Sequence, residues 1–327
     1  MQTFHTIIII IAAITLFIFG LQGFSKEIES FGIDNLKKWI KKMTSLPLGG
    51  FLLGGIVTAI IQSSTLVSSL TVSLVNTSVI SFRDSLMILL GTNIGNTSTG
   101  WIVSFQSDLF GPILIVLGTL ISMLPSRIAM AGKSIFYFGF IFFSLTYISH
   151  AMEPIKNDPI LLQIMEKATN PILGIIYGII ITVIIQSSSV VVGLVIVLIT
   201  QGVIQLDAAI AIVIGANIGT TSTALIVSLK LSPMAKLVAM CATGFNIIGV
   251  IIMYPFFGVL ENLARYLTNT PAMQVAAAFT ISSTFTSIFF LVFFKPTLNI
   301  LQKTKLYKRA ITDIENNKRQ FDLTEPY

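Results

Sequence analysis

Gln62, Ser63, Ser64 and Thr65 stand together in the middle of an apolar stretch, and Gln186, Ser187, Ser188 and Ser189 stand the same way 124 positions later. A second polar block, GTNIGNTST from Gly91 to Thr99, is answered at the same offset by GANIGTTST from Gly215 to Thr223. The side chains in these four blocks are neutral groups that mostly both give and accept hydrogen bonds. Left unpaired in hydrocarbon, each costs about 2–7 kcal/mol, so each needs a partner or a ligand. A dense set of hydroxyls, joined by the free backbone N–H groups and positive dipole end of a half-helix N-terminus, suits an oxyanion. Free carbonyls at half-helix C-termini, together with hydroxyl oxygens, suit Na⁺. The blocks contain no Lys, Arg, Asp, Glu or His. An anion held there is neutralised by hydrogen bonds and by bound cations, which makes Na⁺ co-binding electrically useful.

The elements that position these blocks come from an internal duplication of 124 residues. Thr58 falls on Thr182 and Pro47 on Pro171 at the shared offset, and two different motifs keeping one spacing mark a repeat. The chain has 327 residues, is 54% hydrophobic and 10% charged, and has a mean hydropathy of +0.89. Charged residues average about 25% in soluble domains, so this composition indicates an all-α polytopic membrane protein. The single cysteine, Cys241, and the two histidines, His5 and His150, provide neither a disulfide nor a transition-metal cluster. The net charge of +6 is spread between apolar segments rather than gathered in a stripe, so it points to membrane topology and not to nucleic acid.

The first repeat, 1–125, reads as a retained helix over 4–21, an amphipathic interfacial segment over 24–44, a re-entrant hairpin over 48–75, a broken helix over 79–105 and a helix over 110–125. The second, 126–258, reads as a helix over 133–151, a polar loop over 152–170, a hairpin over 172–199, a broken helix over 207–228 and a helix over 234–257. An extra transmembrane helix, 272–294, lies in the segment 259–294, and a short cytoplasmic tail covers 295–327. The hairpin reading follows from length: arms of about 10–14 residues flank each glutamine, and about 20 are needed to cross. Irregular backbone at that depth must be covered by protein or by a water-filled cavity. With hairpins returning to their own side there are seven crossings, and 17 of the 20 Lys and Arg fall on one side. The acidic residues divide 8 to 6. The positive-inside rule then puts the N-terminus outside and the C-terminus in the cytoplasm. Three crossings per unit make the repeats inverted, a plan whose binding site lies at the repeat interface near the midplane.

Further polar residues have structural readings. Ser68, Ser69, Thr71 and Ser73 read as helix-packing hydroxyls, Asp84 and Asp207 as caps at the membrane edge, and Asn246 and Gln274 as packing groups. Gly91, Gly95, Gly215 and Gly219 read as turn formers, and Asn93 and Asn217 as pegs between broken segments. Thr280, Ser282, Ser283, Thr284, Thr286 and Ser287 make one helix unusually polar, consistent either with a permeation path or with packing. No nucleophile has a base partner, which argues against a membrane enzyme.

These paired motifs, QSST at 62–65, QSSS at 186–189 and the two GxNIGxTST blocks, resemble those of the type II Na⁺/phosphate cotransporters and their bacterial relatives over about residues 1–295. The resemblance implies secondary active symport of inorganic phosphate with Na⁺ as a co-transported ligand, and no other cofactor. It implies phosphate contacts from Gln62, Ser63, Ser64, Thr65, Gln186, Ser187, Ser188 and Ser189. Sodium or shared contacts would come from Thr92, Asn93, Asn96, Thr97, Ser98, Thr99, Asn217, Thr220, Thr221, Ser222 and Thr223. The partners are phosphate, Na⁺ and the lipid bilayer, with no nucleic acid; a homo-oligomer is compatible with the sequence. The copies differ at Thr65 against Ser189 and at Asn96 against Thr220, so their ligands are not identical. The tail is too short for the PhoU-like domain that many bacterial relatives carry. A carrier for another small oxyanion or with different ion coupling, and an anion channel, are the competing readings.

Overall fold

A computed structural model describes residues 2–43, 46, 48–105, 107–125 and 127–312, with the side chains of 2–4, 31–43 and 127 left out. All regular structure among them is helical. In chain order the helices are α1 (Gln2–Met43), α2 (Gly49–Ile61), α3 (Ser64–Asn76), α4 (Phe82–Gly95), α5 (Ser98–Ser104), α6 (Phe110–Ser122), α7 (Arg127–Met152) and α8 (Pro159–Lys167). They continue as α9 (Pro171–Ile185), α10 (Ser188–Thr200), α11 (Leu206–Ser228), α12 (Pro233–Met253), α13 (Phe257–Leu267), α14 (Pro271–Val292) and α15 (Phe294–Lys303). A single 3₁₀ turn, Tyr254–Phe256, joins α12 to α13.

Helix starts follow local chemistry. Asn170 and Asp158 cap α9 and α8 through their side-chain oxygens, each with proline in the first turn, and Ser232 caps α12 ahead of Pro233. Asp84 and Asp207 occupy first turns rather than cap positions. Ser81 caps α4 and bonds Asp84, while Asp207 accepts only from the adjacent Ala208 N–H.

Among the described residues, five helical stretches are individually long and apolar enough to cross a membrane: 5–30, 128–152, 206–228, 233–267 and 271–292. The protein is therefore a multi-pass membrane protein. The seven crossings expected from the sequence are not all single long helices. The 79–105 segment is divided between α4 and α5, and α6 has 13 residues, about 20 Å at 1.5 Å per residue. The amphipathic segment 24–44 is a continuation of α1, not a separate element, and its side chains from Phe31 onward lie outside the described residues. The polar loop 152–170 contains α8, which meets α9 at 111°. Part of the tail, at 313–327, also lies outside the described residues.

Each expected hairpin is a pair of short helices around a glutamine. α2 and α3 have 13 residues each, and α9 and α10 have 15 and 13, about 20 Å per arm where roughly 30 Å is needed. The break at 79–105 is present between Gly95 and Ser98. Its counterpart at 207–228 is absent: α11 is one continuous helix of 23 residues. The first copy has Asn96 where the second has Thr220. The Asn96 amide reaches across to other elements, whereas the Thr220 hydroxyl bonds the Ala216 carbonyl of its own preceding turn and stays in the helix.

Packing repeats with the sequence. α2 lies along α4 and α9 along α11 at backbone contact. A Cβ on Gly91 would stand 1.9 Å from the Phe51 carbonyl oxygen, and one on Gly215 would stand 2.1 Å from that of Ile175. Gly215 and Ile175 each stand 124 positions after Gly91 and Phe51. These glycines, expected to form turns, sit within helices and serve close helix approach instead. α6 meets α7 similarly, with Gly118 against the Phe136 backbone and Gly132 against that of Ser122. Buried apolar side chains form two clusters. One centres on α10, α11 and the inner faces of α1 and α7, the other on α2, α3, α4 and α12.

Candidate functional site

The polar blocks meet where elements of these two clusters face each other. At each tip the glutamine takes a left-handed backbone conformation, φ 59° at Gln62 and 59° at Gln186, and the next serine is extended and caps the following helix. Ser63 Oγ accepts from Leu66 N at 3.3 Å and Ser187 Oγ from Val190 N at 3.4 Å. A non-glycine residue in the left-handed region costs about 1–2 kcal/mol, so its presence in both copies marks a shape imposed by the surroundings. The turn leaves the first N–H groups of α3 and α10 without intrahelical acceptors, a ready place for an anion.

Gln62 is buried. Its amide donates to the Ala59 carbonyl and, at 2.8 Å, to Ser98 Oγ, and its carbonyl accepts from Thr99 Oγ1 at 2.9 Å. Thr99 also lies 3.3 Å from Ser189 Oγ. Its one hydrogen is already given to Gln62, so Ser189 is the donor. One hydroxyl thus joins the two tips. Asn96 makes a second link, donating to Ser188 Oγ at 3.2 Å and to Asn217 Oδ1 at 3.4 Å.

Asn93 and Asn217 are pegged through a third residue. Asn93 Nδ2 donates to Asn246 Oδ1 at 2.8 Å, and Asn246 Nδ2 donates to the Asn217 carbonyl at 3.0 Å. This chain of amides stands between two cavities. One is lined by Ser64, Ser68, Thr92, Asn93, Thr220 and Thr221. The other is lined by Ser282, Ser283 and Thr286 of α14 with apolar groups of α11 and α12. Asn217 and Asn246 border both.

The remaining expected residues are placed as follows. Thr92, Thr97, Thr220 and Thr221 bond carbonyls of their own preceding turns. Thr65 is half-buried and, among the described residues, makes no side-chain hydrogen bond. Gln186 is exposed and likewise unpaired, whereas Ser222 Oγ and Thr223 Oγ1 are buried without a partner. Asn246 and Ser68, read from the sequence as packing groups, line the cavity beside Thr92 and Thr220. The signal was present for Asn246, a lone amide in the apolar run 234–257. Gln274 keeps a packing role, donating to the Thr268 carbonyl, and Thr280 accepts from the Trp101 indole. Ser287 bonds the Leu90 carbonyl and so ties α14 to α4.

The family described as Na⁺/Pi-cotransporter matches residues 16–150 and 157–259. The chain belongs to the Na⁺/Pi-cotransporter family. It is a secondary transporter. YqeW of Bacillus subtilis (strain 168) is 28% identical over 286 residues, 86% of this chain and 92% of that protein. YjbB of Salmonella typhimurium, whose name refers to inorganic phosphate export, is 29% identical over 215 residues, 65% of this chain and 40% of its own length. The human sodium-dependent phosphate transport protein 2B is 35% identical over 103 residues, 30% of this chain and 15% of its own. No solved structure matches the chain significantly.

Proposed function

We propose that this transporter carries inorganic phosphate across the cell membrane together with Na⁺, by alternating access between two inverted halves, 1–125 and 126–258. The observation that carries the reading is the meeting of two glutamine–serine tips in an uncharged interior, joined through Thr99 and Asn96. Hydroxyls and free N–H groups at Ser63, Ser64, Thr65, Ser187, Ser188 and Ser189 supply donors for a phosphate, with Gln62 and Gln186 at its rim. The amide and hydroxyl oxygens of Thr92, Asn93, Asn96, Thr97, Ser98, Thr99, Asn217, Thr220, Thr221, Ser222 and Thr223 are the cation side of the same site. Hydroxyls that already donate to a helix carbonyl, as Thr92 and Thr220 do, keep lone pairs for Na⁺. The family membership and the names of YjbB and protein 2B support phosphate and sodium as the solutes. The uneven placement of Lys and Arg supports an external N-terminus and a cytoplasmic C-terminus.

The test is ³²P-phosphate uptake into proteoliposomes, with Na⁺ exchanged for K⁺ and with competing oxyanions present. Uptake that depends on an inward Na⁺ gradient and resists sulfate supports the reading. Phosphate flux indifferent to Na⁺ refutes the coupling, and flux of another oxyanion in preference refutes the substrate.

A further inference from the structure

Positions 124 apart form an internal comparison, and the two copies agree closely at the tips. Gln62 and Gln186 share one backbone conformation, Ser63 and Ser187 share the capping role, and Gly91 and Gly215 share the helix contact. They part at one cluster. In the first copy Gln62 is buried, holds Ser98 and Thr99, and the helix beneath it is interrupted at Asn96–Thr97. In the second, Gln186 is exposed and unpaired, the counterparts Ser222 Oγ and Thr223 Oγ1 are buried without a partner, and α11 runs through. Three features change together: the pairing of the glutamine, the satisfaction of the two hydroxyls, and the continuity of the helix.

Buried hydroxyls without partners are costly, and the first copy displays the arrangement that satisfies them. One of its bonds already exists in α11. Thr221 Oγ1 bonds the carbonyl three residues back, Ile218, at 2.7 Å, as Thr97 Oγ1 bonds Ile94 at 2.8 Å where the first copy is interrupted. The neighbouring Thr220 bonds four residues back, to Ala216, and that bond accompanies the unbroken turn.

We propose that Gln186 has a second position, in which its amide donates to Ser222 and its carbonyl accepts from Thr223 while α11 is interrupted at Thr220–Thr221. Gln186, Ser222 and Thr223 form a clasp that is open in this structure, opposite the closed clasp of Gln62, Ser98 and Thr99. Closing it secures the second tip on α11, and transport proceeds by exchange between the two settings. In this role Gln186 is a positioning residue. The geometry of the clasp stands on the internal comparison, and its use in transport rests on the function proposed above.

The experiment uses full-length protein in membranes with Cys241→Ser. Cysteine pairs replace Gln186 and Ser222, or Gln62 and Ser98, and bridging is read with a short bifunctional thiol reagent, with and without Na⁺ and inorganic phosphate. The 62/98 pair is expected to bridge in the unliganded state, and the yield of the 186/222 pair is expected to change at least threefold on adding the two solutes. A 186/222 yield no greater than that of a mismatched 186/228 pair under every condition overturns the proposal. So does failure of both pairs. Gln186→Ala and Thr223→Val provide a second readout through uptake: each is expected to slow turnover about tenfold, and the double variant no further. An approximately hundredfold loss in the double variant shows independent action and overturns the clasp. Absence of phosphate uptake by the unaltered protein counts against the transport reading alone, because bridging requires no transport.

Discussion

Gln62→Ala and Gln186→Ala change the same residue type, at the same motif position, in the same left-handed conformation, so any backbone cost of alanine at φ 59° is common to both. What differs is what each side chain holds. Gln62 loses three hydrogen bonds: to Ala59, to Ser98 and from Thr99. Polar contacts in membrane interiors are worth on average about 0.6 kcal/mol each, and individual hydrogen bonds up to about 1.5 kcal/mol. Ser98 keeps its bond to the Gly95 carbonyl at 2.7 Å and Thr99 keeps Ser189 at 3.3 Å, so neither hydroxyl is orphaned. The expected loss is therefore near the lower end, about 2 kcal/mol. Gln186 has no side-chain bond to lose among the described residues, and its replacement is expected to cost less than about 0.5 kcal/mol beyond the shared backbone effect. Unfolding free energies of the purified variants, measured side by side by steric trapping in bicelles, read the difference directly. Equal losses would show that the two tips are held alike and would refute the asymmetry.

Other outcomes follow from single contacts. Gly215→Ala forces a methyl against the Ile175 carbonyl and is expected to destabilise by about 3 kcal/mol or more, whereas Gly244→Ala, with open space around it, is near neutral. Thermal unfolding of the pair checks this. Asn246→Leu removes both arms of the amide bridge, leaving Asn93 Nδ2 without its partner and the Asn217 carbonyl with only its helix bond, and is expected to lower phosphate uptake at least tenfold. Near-normal uptake would show that the bridge has no part in transport. Ser188→Ala, at the buried tip facing Asn96, is expected to impair uptake far more than Ser73→Ala on the same scaffold. Equal, near-normal uptake by both folded variants would remove the tip from the mechanism. Trp101→Phe, which loses the 2.8 Å bond to Thr280 and part of the indole's packing on the core, is expected to cost about 1–2 kcal/mol in stability and to leave uptake within about threefold.

Much of the architecture was legible in the residue order because it depends on local chemistry. A Gln-Ser pair between apolar arms too short to cross forces a break, and the breaks are at Gln62–Ser63 and Gln186–Ser187. Hydropathy made the chain a multi-pass membrane protein, and the 124-residue offset foretold contacts that recur pair for pair between α2 and α4 and between α9 and α11. Polar residues in hydrocarbon identified which side chains needed partners. Which partner each one takes was not written in the order. Asn246 looked like a packing group because its bonds go to Asn93, 153 positions away, and to Asn217. The glycines looked like turn formers because no local signal separates a turn from a helix face awaiting another backbone.

The deepest difference lies between two stretches that read almost alike. GTNIGNTST and GANIGTTST have nearly the same local preferences, yet one is interrupted and its Ser98 and Thr99 hydroxyls are held by a glutamine, while the other is continuous and its Ser222 and Thr223 hydroxyls are unpaired. Sequence by itself determined that each motif would carry hydroxyls and an amide in among the apolar helices. Only the tertiary structure decided which glutamine is buried against them, because that choice depends on long-range contacts from Thr99 to Ser189 and from Asn96 to Ser188 and Asn217, which no window of the chain contains.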